Sequence, residues 1–147
     1  MNYFIFFGFL YLLKLTIEDL KNKMWVDDRL NYFMIGVVAT MIFTYDRSIG
    51  YILTLIAVNL LLMFFIDKRK LMGEADTKTI LWSFTGYGMI NPVLLMIYVI
   101  VFIFCIVVSC ITTKLLKKKL IKFPAYPSFF ISFIVTFIVA YTIGYNL

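Results

Sequence analysis

PVLLMIYVIVFIFCIVVSCI, residues 92–111, holds no charged side chain. As a helix rising 1.5 Å per residue it is about 30 Å long, the thickness of a bilayer's hydrocarbon core. Shorter apolar runs flank it at Tyr3–Ile17, Leu30–Thr44, Ile49–Ile66 and Ser128–Tyr145. The stretch Thr79–Asn91 is only moderately apolar, contains Gly86 and Gly88, and ends on the turn signal Asn91-Pro92. Of 147 residues, 63% are hydrophobic and 15% charged, and the mean hydropathy is +0.97. A water-soluble domain of this size has too little interior for so much apolar side chain, and large exposed apolar patches are rare on monomers.

The expected fold is therefore all-α: a polytopic membrane helix bundle forming a single integral membrane domain over residues 1–147. The N-terminus has neither a basic start nor a small-residue cleavage site, so the first run reads as a retained helix. Thirteen of the 14 basic residues fall into three clusters, around residues 14–29, 68–78 and 114–122, with Arg47 beside Asp46 left over. Basic clusters mark cytoplasmic loops, so an even number of crossings should separate each pair. Runs two and three supply the first pair. The 35 residues between Lys78 and Lys114 supply the second only if Asn91-Pro92 splits them; one long helix is the alternative. The expectation is six transmembrane helices at about 3–17, 30–44, 49–66, 77–90, 92–113 and 126–145, the fourth short. The chain would lie in the cell membrane, multi-pass, with both termini outside.

Several chemistries are excluded. The chain has no histidine, which removes Ser-His and Cys-His catalysis, HExxH zinc sites and His-ligated haem. Cys105 and Cys110 lie in one apolar run without metal-ligand spacing and read as packing residues. No metal and no cofactor is expected. Lys117, Lys118 and Lys119 lack interleaved aromatics and read as an anchor meeting anionic lipid headgroups, so membrane lipids are expected partners and nucleic acid is not. Pro124-Ala125-Tyr126-Pro127 reads as a rigid lead-in to the last helix.

Eight acids remain, and two stand out. Asp19 directly follows the first apolar run, and Asp76 opens the fourth, three residues after Gly73. Two facing carboxylates can hydrolyse a peptide bond, one ionised to take a proton from water and one protonated to polarise the carbonyl. Like charges that close cannot both ionise, so their titrations split. The plainer reading is equally concrete. Asp19 pairs with Lys23, Asp76 lies near Lys78 or favours the positive end of its helix, and Gly73 is a loop glycine. Acids in membrane proteins also serve transporters as proton relays and ion sites, yet every apolar run here is free of Asp and Glu. A non-catalytic assembly protein with the same layout is the third reading.

The stretches Asp19-Leu20-Lys21-Asn22-Lys23-Met24-Trp25-Val26-Asp27-Asp28 and Gly73-Glu74-Ala75-Asp76-Thr77-Lys78 together resemble the type IV prepilin peptidases, including the archaeal preflagellin peptidases. In that family an Asp ending the first helix is followed by basic residues, commonly Ile-Pro, and then Asp or Asn. Here Trp25-Val26 stands where Ile-Pro is usual. The second family motif is Gly-x-Gly-Asp, or Gly-x-Ala-Asp in archaeal members, often with a Lys two residues on. The resemblance implies a membrane-embedded aspartic endopeptidase with Asp19 and Asp76 as the catalytic pair and Gly73, Glu74, Ala75 and Lys78 as supporting motif. It implies as substrates prepilin-like or preflagellin precursors, cut at the cytoplasmic face behind a short basic leader. The cysteine-rich insert of methylating members is absent, so peptidase activity alone is implied.

Overall fold

The computed structural model describes residues 3–21, 29–68, 74–115 and 125–144. They form six α-helices: α1 (Tyr3–Lys21), α2 (Arg29–Thr44), α3 (Ile49–Lys68), α4 (Glu74–Ile90), α5 (Pro92–Leu115) and α6 (Tyr126–Thr142).

Residue 91 alone separates α4 from α5. Pro92 has no N–H to offer a preceding turn and suits the first position of a helix. Asn91 Oδ1 accepts the Val93 backbone N–H at 2.7 Å, the bond an N-cap residue makes to one of the orphan donors at a helix start. The two helices fold back on each other, with the Tyr98 ring 4.9 Å from Tyr87 and 5.6 Å from Phe84. The single long helix is thereby excluded. At the other end of the chain, Gly144 at φ +75 takes the left-handed conformation that commonly closes a helix.

Helix α4 is central. Thr77, Thr79, Ile80, Trp82, Ser83, Thr85, Tyr87 and Met89 are all buried, on every side of the helix. Ser83 donates its hydroxyl to the Thr79 carbonyl of its own helix at 2.6 Å, and the Thr79 hydroxyl has an acceptor on its own helix, Ala75 O at 3.0 Å, as an alternative to one on α2, so buried polar side chains cost little here. Gly86 and Gly88 leave room for neighbours. A Cβ on Gly86 would overlap the Phe4 ring of α1, and one on Gly88 would sit 2.7 Å from Leu55 Cδ1 of α3. Phe4 fills its notch at 5.5 Å from Tyr87 and 6.0 Å from Trp82, both edge-on. Tyr87 donates its hydroxyl to the Phe133 carbonyl of α6 at 3.0 Å.

The C-terminal carbonyls of α4 have dedicated donors. Arg47 Nη2 donates to Ile90 O at 2.6 Å and Nε to Met89 O at 3.2 Å, while Tyr51 Oη donates to Gly88 O at 2.7 Å. The basic residue that lay outside the three clusters thus neutralises a helix end, where cations are favoured. Arg47→Met should lower the unfolding free energy by about 1.5–3 kcal/mol, the worth of hydrogen bonds to a charged group. Arg47→Lys should restore part of that, as read from unfolding midpoints of the purified protein.

The expectation of a polytopic membrane bundle with six transmembrane helices needs correction. Among the described residues no helix is long and apolar enough to cross a membrane. Helices α2, α4 and α6 have 16, 17 and 17 residues, a rise of about 24–26 Å against ~30 Å of hydrocarbon. Helix α1 reaches 19 residues but takes in Lys14, Glu18, Asp19 and Lys21. Apolar composition measures how much surface avoids water; it does not measure uninterrupted length. The crossing count built on those spans falls with them.

Candidate active site

Helix α1 continues past the apolar run because its charged turn is itself helical. Lys14 and Glu18, one turn apart, pair at 3.5 Å on the exposed face. Asp19 lies on the opposite face and is only 5% exposed. Two features define its carboxylate. One oxygen accepts the Tyr126 backbone N–H, and Oδ2 is buried with no hydrogen-bond partner among the described residues. Burial pushes the Asp19 carboxyl above its ordinary value, opposed by the Tyr126 bond. Thr16, three residues earlier and so on the same face, also has its hydroxyl oxygen buried and without a partner among the described residues.

The Tyr126 bond follows from how α6 begins. Its N-cap, Ala125, has no side chain to cap with, and the first N–H groups of a helix have no partner within it. Asp19 reaches across from α1 to fill that place.

Helices α1 and α4 run antiparallel. Phe4 lies against Tyr87, and Tyr11 lies 5.8 Å from Trp82, so the Asp19 end of α1 faces the first turns of α4. Asp76 is on that first turn and half-buried. Ala75, also half-buried, gives its carbonyl to Asn31 Nδ2 of α2 at 3.1 Å. Lys78 donates to Tyr32 Oη at 2.9 Å and lies 4.5 Å from that ring's centre. Glu74 begins α4. Gly73 lies outside the described residues, as do Lys23, Trp25, Val26, Asp27, Asp28, Lys117, Lys118, Lys119 and Pro124. Cys105 is a half-buried free thiol on α5.

Near these first turns of α4 stands a set of buried polar side chains that the sequence does not single out. Thr79 Oγ1 is 3.4 Å from Tyr126 Oη and donates to Asn31 Oδ1 at 3.1 Å. Trp82 Nε1 donates to the same Oδ1 at 2.9 Å. Asn31 is fully buried. The one available signal was an Asn inside an otherwise apolar run, where burial demands partners. Among the described residues no group of His, Cys, Asp and Glu could hold a metal ion.

Protein-family models, curated proteins and solved structures were all compared with the chain, and none matches it. The chemistry of the site accordingly rests on its own residues.

Proposed function

We propose that the chain is an aspartic endopeptidase that removes the short basic leader of type IV prepilin-like or preflagellin precursors at a membrane surface. The observation that carries the reading is Asp19, a carboxylate buried at a helix end with one oxygen that has no partner among the described residues. A carboxyl held above its ordinary value by burial suits the acid half of a carboxylate pair. Asp19 keeps its proton and donates it to the scissile carbonyl oxygen. Asp76, on the first and positive turn of α4, takes a proton from water as the hydroxide adds to the carbonyl carbon. Collapse of the resulting gem-diol breaks the C–N bond: Asp76 gives that proton to the departing amine, and a diol hydroxyl returns a proton to Asp19, which restores both acids. The motifs around Asp19 and Asp76, by their resemblance, name the substrate class.

The outer surface supports a membrane setting. On α5, Met96, Ile100, Ile103, Val107 and Ile111 are exposed at three- and four-residue spacing, and Phe64 and Phe65 of α3 are exposed with them. Lipid acyl chains are the cover such a surface takes. The purified chain should float with anionic lipid vesicles in a density gradient and stay with them in high salt. A monodisperse chain remaining at the bottom would remove lipid from the reading.

The decisive experiment is incubation of the chain in lipid with a panel of prepilin and preflagellin precursors, read by mass. Loss of a leader ahead of the apolar segment supports the peptidase. Intact precursors throughout, beside an active control peptidase that cuts them, would overturn it.

A further inference from the structure

The geometry points to Asn31 as a positioning residue that sets Asp76 against Asp19, an inference that rests on the peptidase reading above. Asn31 is completely buried on the first turn of α2, and a buried amide is costly unless bonded. Three of its partners lie on one face of α4: the Ala75 carbonyl, the Thr79 hydroxyl and the Trp82 indole N–H, at 3.1, 3.1 and 2.9 Å. Spacings of four and three residues put them in a row along the helix. Ala75 immediately precedes Asp76. Fixing its carbonyl fixes both the height of α4 and its rotation about its axis, and so where the Asp76 carboxyl points.

The same row reaches Asp19. Thr79 Oγ1 lies 3.4 Å from Tyr126 Oη, and the Tyr126 N–H bonds the Asp19 carboxylate. A hydroxyl has one proton and two lone pairs. Thr79 can therefore accept from Tyr126 while donating to Asn31 or to the Ala75 carbonyl. The path Asn31–Thr79–Tyr126–Asp19 joins α2, α4, α6 and α1 at one end of the bundle. An amide suits its starting point because it accepts two bonds at Oδ1 while donating at Nδ2. Leu has neither capacity, and Asp has no donor when ionised.

Asn31→Leu and Thr79→Val, made in the full chain, test this with two readings. The first is cleavage kinetics. Misplacing a reacting group by about 1 Å can cost 10²-fold, so Asn31→Leu should lose about that factor in kcat with KM little changed. Thr79→Val, which leaves Asn31 bonded to Ala75 and Trp82, should lose less. The second needs no activity: the distance between spin labels at Leu20→Cys and Glu74→Cys, with Cys105 and Cys110 replaced by Ala. It should be single and narrow in the parent and broad or displaced with Asn31→Leu. A folded Asn31→Leu chain with the parent's distance and kcat overturns the inference and leaves the peptidase standing. A parent that cuts no precursor, together with a distance that broadens on substitution, keeps the positioning role and removes the peptidase. If Asn31→Leu does not fold, Thr79→Val decides by the same two readings.

Discussion

Asp19→Asn should abolish precursor cleavage, by at least ~10²-fold given what a positioned acid contributes, without weakening the fold at neutral pH. An amide keeps an oxygen to accept the Tyr126 N–H, so α6 keeps its cap, but it has no acidic proton to give. The stability half follows from burial. The folded carboxyl titrates above its ordinary 3.8, so at pH values between the unfolded and folded pKa the native state binds more protons. Stability of the parent therefore falls as pH rises through that window. Asn has nothing to ionise. The variant should match the parent in acid and unfold later than it at neutral pH, as unfolding midpoints at the two pH values will show. Asp19→Ala should lose the cap as well, at about 1 kcal/mol. Asp76→Asn should be equally inactive. Normal cutting by Asp19→Asn would leave Asp19 as the cap of α6 and nothing more.

Gly86→Val should cost the most stability of any single substitution on α4. Its side chain would enter the space of the Phe4 ring, which is fully buried and wedged against Trp82, Tyr87 and Phe133. A rigid ring closed in by three others cannot swing aside, so the loss should reach or exceed the upper end of the ~1–3 kcal/mol that overpacking costs. Phe4→Ala alone should cost about 3–5 kcal/mol through the void it leaves. Combined, the two should be less damaging than their sum, because each relieves the other. Additive losses in a thermal-unfolding cycle would mean that Phe4 and Gly86 do not meet.

Sequence periodicity reads well where a helix has one apolar and one polar side, and α4 has neither. Its residues face neighbours all round, so Thr79, Ser83 and Gly86 look like loop composition although they are packing and hydrogen-bonding positions. Helix ends went astray for a related reason. Helix α1 runs to Lys21 and α4 begins at Glu74, beyond the helices expected at 3–17 and 77–90, because charged turns carry backbone hydrogen bonds as well as apolar ones do. Asp19 and Asp76 stood out as acids at run ends. Asn31, Thr79 and Tyr126 did not, since a buried polar residue reveals itself only by its partners, which lie 44 to 51 residues away in the chain. The membrane-crossing expectation is overturned because, among the described residues, no helix is both long and apolar enough to reach across; α2, α4 and α6 stop at 16 or 17 residues, and α1 carries charges in its last turns.

Arg47 and Tyr51 hold the last turn of α4, and Asn31 holds the first. Helices ordinarily fray from both ends inward, and their terminal amides exchange with solvent deuterium through small local openings. Helix α4 has no loose end from which to begin. Its amides beyond the first turn, out to the last, should exchange only when the bundle opens as a whole, so that the slowest and fastest of them report nearly the same free energy.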